Sequence, residues 1–237
     1  MRQIAYSCVR LFAAAAFLVS AAVCLSADEW VIPDSASPDG KWECRRTEID
    51  EAMAEKGVDT DRAIVRAGTT ERVVELPLTV GGQGNDEPCV LWAPDSKRFA
   101  YNLRAGGRYN TTQVYQLRNG KWIELRSLES EETTAPLDRV QTAQLRKLGV
   151  PKDSHRRRIW DTWEVRRWID ARTAMLYVHS VETVLVKKKE EEEIVELAAH
   201  FLFTIRFDER GNWKIIKSHR MSDKEVEEQN APAEPAE

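Results

Sequence analysis

The chain has 237 residues, of which 42% are hydrophobic and 8% aromatic, and 35 Lys and Arg stand against 39 Asp and Glu for a net charge of −4. That acidic balance argues against a nucleic-acid binder, whose footprint is a basic domain. After the leader described next, about 210 residues remain, enough for one sizeable domain or two small ones.

The N-terminus carries Arg2 and Arg10 and no acidic residue before Asp28. An apolar run from Leu11 to Leu25 follows, then Ser26-Ala27. A positive start, an apolar stretch of about 15 residues and a small exit residue form a secretory signal, so residues 1–27 are expected to be cleaved after Ala27. The run falls short of the roughly 20 residues that span a bilayer. Val23 ahead of Cys24 disfavours a lipid anchor there. The leader takes two positive charges and no negative ones, moving the charge from −4 to −6. With no second long apolar stretch, no stable membrane insertion is expected after cleavage. Cys8 and Cys24 leave with the leader, and Cys44 and Cys89 remain. An exported chain with two cysteines predicts a Cys44–Cys89 disulfide, which closes its loop for about 4 kcal/mol.

Residues 28–130 read as β structure built on an imperfect repeat. Ser37-Pro38-Asp39-Gly40-Lys41 leads into Trp42–Arg45, and Ala93-Pro94-Asp95-Ser96-Lys97 leads into Arg98–Tyr101. In each copy proline presets φ and aspartate caps the turn with its side chain. Strands are predicted at Ala63–Ala67, Arg72–Leu78, Cys89–Trp92, Phe99–Leu103, Thr112–Arg118 and Trp122–Leu128, with Asn119-Gly120 as a hairpin turn. Trp92-Ala93-Pro94-Asp95-Ser96-Lys97-Arg98-Phe99-Ala100-Tyr101 resembles the WD40-like repeat of TolB-type β-propellers, and Ser37–Lys41 matches its turn. The resemblance spans about 90 residues and implies blade-like hairpins. Two copies depart from a whole propeller, which needs at least four blades.

Residues 131–158 read as a linker with one helix at 137–148, where Leu137, Val140, Leu145 and Leu148 form a loose stripe ended by Gly149 and Pro151. Residues 159–222 predict a four-stranded antiparallel meander, with turns at Ala171-Arg172, the charged Lys187–Glu193 and Asp208–Asn212. Paired residues are expected to sum to 343, 379 and 420 across the three hairpins, because a one-residue slip inverts every face. Asp223–Glu237 reads as a disordered acidic tail. The expected fold class is mainly β: two blade-like hairpin units, a short helix and a meander.

On that register Glu164, His179, His200 and Arg220 form a row across the meander face, with neighbouring Cβ atoms roughly 5 Å apart. Two histidines and a carboxylate suit a metal or a shared proton; structural pairing is the commoner use of such histidines. His155-Arg156-Arg157-Arg158 ahead of Trp160 and Trp163 suits a polyanion or a sugar acid, or simply a solvated linker. Gly81-Gly82-Gln83-Gly84 lacks the Lys-Ser/Thr of a phosphate loop, and no nucleophile elbow or His-Glu-x-x-His occurs. The sequence therefore points to an exported, non-catalytic binding or structural protein of the periplasm or exterior. No cofactor, no nucleic acid and a protein or cell-envelope partner are expected. The alternatives are an enzyme, metal-dependent or not, centred on Glu164, His179 and His200, and an exported inhibitor of a hydrolase.

Overall fold

In a computed structural model, residues 29–48, 60–77, 89–151, 154–188 and 191–230 are described. The chain is mainly β. Among the described residues, three four-stranded antiparallel meanders follow one another. The first is β1 (Glu29–Val31), β2 (Trp42–Glu48), β3 (Thr60–Arg66) and β4 (Arg72–Glu75). The second is β5 (Cys89–Trp92), β6 (Arg98–Gly106), β7 (Tyr109–Arg118) and β8 (Lys121–Glu124). After helix α1 (Glu131–Lys147) comes the third: β9 (Arg156–Asp170), β10 (Thr173–Lys188), β11 (Glu191–Phe207) and β12 (Trp213–Arg220). A short helix α2 (Asp223–Asn230) follows. The second and third meanders form one sheet, because β7 runs parallel to β9 at Tyr109↔Asp161 and Asn110↔Thr162.

The two copies of the repeated turn share one geometry. Gly40 and Ser96 donate backbone N–H to the carbonyls of Ser37 and Ala93, each at 2.9 Å. The Asp39 and Asp95 carboxylates accept from the N–H of Lys41 and Lys97 at 3.2 and 3.0 Å. Both turns need a left-handed residue, Gly40 at φ +69° and Ser96 at φ +57°, and serine tolerates it because its hydroxyl is used. Ser96 Oγ accepts the Asp39 N–H at 3.0 Å, so the copies touch.

Two cores result. Trp42, Cys44 and Ile64 of the first meander pack against Phe99, Tyr101 and Tyr115 of the second. Ala100 and Val114, on the other face of that second meander, share a core with α1's Leu137 and with Trp163, Val165, Leu176, Phe203 and Ile205 of the third. Both halves of the chain thus bury apolar surface together, at roughly 25 cal/mol per Å². Polar side chains stitch the same seam. Asn102 donates to Val165 O at 2.8 Å and accepts from Val165 N–H at 3.1 Å. Buried Arg98 holds the carbonyls of two hairpin turns, Ala171 at 3.0 Å and Asp208 at 3.2 Å. Gln116 donates to Glu209 O at 3.1 Å.

Several expectations are corrected. The helix starts at Glu131 rather than residue 137, because Thr133 Oγ1 accepts the Ser130 N–H at 3.2 Å and so satisfies one donor at the helix start. Pro136 lies inside it without ending it, at the loss of the one N–H that would otherwise bond the Glu132 carbonyl. The tail is helical through Asn230, with Ser222 donating from its N–H and hydroxyl to Glu225 at 2.7 and 2.8 Å. Residues 231–237 lie outside the described residues, as do the leader and Gly81–Gly84. Arg156, Arg157 and Arg158 belong to β9 rather than to a linker. Cys44 is a fully buried free thiol, not half of the expected bridge. It packs between the first two meanders in the core that also takes Val90 and Trp92.

Gly211 sits at φ +76° in the β11–β12 turn, where an added Cβ would lie 2.4 Å from Leu125 Cδ2 and 2.7 Å from an Arg118 Nη. Gly211→Ala is expected to cost about 1–2 kcal/mol through left-handed strain and a displaced Leu125, read as a lower denaturation midpoint in urea. The same substitution at Gly120, φ +76° with no atom within 4 Å of the added Cβ, isolates the backbone share.

Candidate functional site

The face of the third meander turned away from α1 carries its titratable cluster. Leu176, Val178, Ala199 and Phe201 are buried toward α1 and the second meander, and alternation turns Tyr177, His179, His200 and Leu202 the other way. The middle hairpin keeps one register along its length, so His179 stands directly opposite His200, at the expected sum of 379. Their rings stack with centroids 4.1 Å apart and planes 13° from parallel.

The outer members of the expected row are displaced. Between β9 and β10 the sum is 343 at Thr173↔Asp170 but falls across irregularities at Thr173/Ala174 and Met175/Leu176. Glu164 then lies opposite Tyr177, and Thr162 opposite His179. A two-residue shift preserves the face, so Glu164 stays on it one step away. Between β11 and β12 a single shift at Thr204/Ile205 changes parity, because it moves the sum from 420 to 421. Arg220 consequently pairs with Phe201, and His219 takes its place on the outer face opposite Leu202.

Tyr177 and His219 are the members that sequence reasoning passed over. Tyr177, only 6% exposed, has its hydroxyl 2.8 Å from His200 Nδ1. Arg166 lies over the Tyr177 ring at 4.7 Å and pairs with Glu164 at 3.1 Å. His219 Nε2 is 2.8 Å from Glu225 of α2. Burial, reinforced by His200, pushes the His179 imidazole down to about 4. Burial also lowers His200, against the pull of Asp223. The Tyr177 phenol is raised to about 12 by burial. At neutral pH the cluster therefore holds two neutral imidazoles and a protonated phenol. Tyr177 Oη and His200 Nδ1 share one hydrogen bond, whose donor follows the His200 tautomer.

This geometry suits structural pairing better than metal ligation. The nitrogen lone pairs of an imidazole lie in its ring plane. Two nearly parallel rings aim theirs along separate planes rather than at one ion. Among the described residues no three of His, Cys, Asp and Glu are grouped as ligands.

The basic run is divided by its strand. Arg156 pairs with Glu182 at 2.9 Å and Arg158 with Asp161 at 3.0 Å. Arg157, opposite Thr183, is exposed, as is His155 before the strand. Alternation sends neighbouring arginines to opposite faces, so the run does not present one continuous basic surface. Among the described residues no helix is long and apolar enough to cross a membrane. No protein-family model matches the chain, and no match to it was found among curated proteins.

Proposed function

We propose that this chain is an exported, non-catalytic β-rich binding or structural protein, acting on a protein or envelope component in the periplasm or outside the cell. One observation supports the non-catalytic reading above the others. The histidines that best suited chemistry are stacked face to face at 4.1 Å, with one nitrogen engaged by Tyr177. Its buried polar side chains Asn102, Arg98 and Gln116 are likewise spent on backbone groups of neighbouring turns and strands. The leader pattern supports export. Stacked blade-like meanders offer sheet edges and hairpin ends as contact surfaces, in keeping with the TolB-type resemblance of Trp92–Tyr101.

Fractionation of expressing cells with N-terminal sequencing tests the compartment. Protein starting at Asp28 outside the cytoplasm is expected, and cytosolic protein that retains Met1 would overturn export. Elemental analysis tests the chemistry. Stoichiometric zinc, copper or iron, lost in His179→Ala, would replace the binding reading with a metal site.

A further inference from the structure

The eight-stranded sheet is closed at one end and open at the other. Its strand order runs from β12 to β5. At the β5 end the Leu91 carbonyl is taken by Trp168 Nε1 of β9 at 2.9 Å. At the β12 end no further strand pairs among the described residues. Met221 donates its N–H to His200 O at 3.0 Å. Alternation then turns the backbone groups of Lys217 and His219 toward β11 and those of Ser218 and Arg220 outward, as an added strand would need them.

The two faces of β12 differ in character. Trp213 and Ile215 turn inward to the core that holds Phe203 and Phe207. Lys214, directly opposite Arg206, and Lys217, opposite Thr204, turn outward. Arg220 adds a third cation at the far end of the strand. Lys214, Lys217 and Arg220 are exposed and form no ion pair among the described residues. Ile216, 48% exposed, has no opposite residue at the irregularity. It lines a cavity of about 490 Å³ with Arg172, Arg206 and Lys214. Asp208, also in that lining, is held by Asn212 of its own turn at 2.9 Å.

These features select what the edge can take. Lysines disfavour a second copy of the same edge, because like charges would then face each other. Residues 231–237 of the chain itself are acidic, but Pro232 and Pro235 have opposite parity, so in any register spanning both one of them removes an N–H that the ladder needs. A strand that alternates acidic and apolar residues continues both faces, with carboxylates beside Lys214 and Lys217 and apolar side chains beside Trp213 and Ile215.

We propose that β12 is a docking edge, at which an extended segment of another protein, alternating acidic and apolar residues, adds as the next strand. The assignment rests on the binding reading above and specifies its partner. A negative result below strikes the edge alone, whereas a stoichiometric metal lost in His179→Ala would strike the binding reading.

Titration of the full chain with the blocked octapeptide (Glu-Val)4, and with (Lys-Val)4 as its charge-reversed control, tests it by calorimetry and amide hydrogen exchange. Saturable binding of the acidic peptide is expected, weakened by salt, with no binding of the basic one and slowed exchange at Ser218 and Arg220 in the complex. Lys214→Glu combined with Lys217→Glu should weaken the acidic peptide at least tenfold and admit the basic one, a gain that an unfolded variant would not show. Ser218→Pro keeps every charge and removes one outward N–H, which an edge strand tolerates. It too should weaken binding at least tenfold, with little change in Tm. Absence of acidic-peptide binding to the wild type would overturn the docking edge. So would binding without protection of Ser218 and Arg220, or binding that Ser218→Pro leaves intact, since either result means charge attraction without strand addition.

Discussion

Asn102→Ala is expected to be the most damaging single substitution on the seam, lowering stability by about 3–5 kcal/mol. The side-chain amide stands in for a missing strand. It accepts from Val165 N–H and donates to Val165 O, joining β6 to β9 where no backbone ladder connects them. Val165 is fully buried, so truncation leaves a donor and an acceptor without partners and out of reach of water. Each such group costs roughly 1–3 kcal/mol, and the lost volume adds a cavity cost. Asn102→Leu separates the two contributions, since leucine refills the space but pairs with neither group. Urea denaturation should place Asn102→Leu at least about 2 kcal/mol below wild type. A leucine variant within about 0.5 kcal/mol of wild type would show that Asn102 acts by volume and not by pairing.

What the sequence made legible is the local geometry, and the limit lies at the irregularities. The Asn119-Gly120 and Asp208–Asn212 turns and the paired Pro-Asp turns are written in residue types that few other conformations accept. The 379 register follows from seven apolar residues on one face of β11, Val195 to Phe207, which any slip would expose. Strand irregularities leave no comparable mark. Nothing in Arg166-Arg167-Trp168 announces the shift that moves Glu164 to Tyr177, and nothing in Ile215-Ile216-Lys217 announces the one that exchanges Arg220 for His219. The half-buried His179/His200 pair was therefore readable and its flanking partners were not. Asn102 was missed for another reason. A polar residue in a strand of alternating pattern reads as exposed until packing shows what covers it. The early start of α1 was hidden by Pro136, which reads as a helix breaker but here removes one backbone donor without ending the helix.

Stability is expected to fall by about 2–3 kcal/mol as pH drops from 7 to 5, and the histidine stack carries most of that loss. Unfolded histidine titrates near 6.5, whereas burial holds His179 at about 4 and lowers His200 as well. Between those values the unfolded chain binds more protons than the folded one. The stabilisation is complete above 6.5 and is withdrawn as pH falls toward 4. For His179 alone, the interval from 6.5 to about 4 is worth about 3 kcal/mol when fully withdrawn, at about 1.4 kcal/mol per pH unit, and solvent at the half-buried ring edge trims this. Protonation also sets two positive rings against each other at 4.1 Å and makes His200 Nδ1 a donor, which leaves Tyr177 only the acceptor role in their hydrogen bond. The other groups facing the pair act outside this window or against the loss. Glu225, held at about 2 by Ser222 and His219, stays ionised throughout, and Asp223 favours a charged His200. Glu164 and Arg166 offset each other beside Tyr177. His179→Phe keeps a ring to stack on His200 and removes one titration. Its midpoint in urea should fall by less than half as much as that of wild type between pH 7 and pH 5. Parallel profiles for the two proteins would mean that the imidazoles already exchange protons with water in the folded state, and that the stack is neither dry nor the source of acid sensitivity.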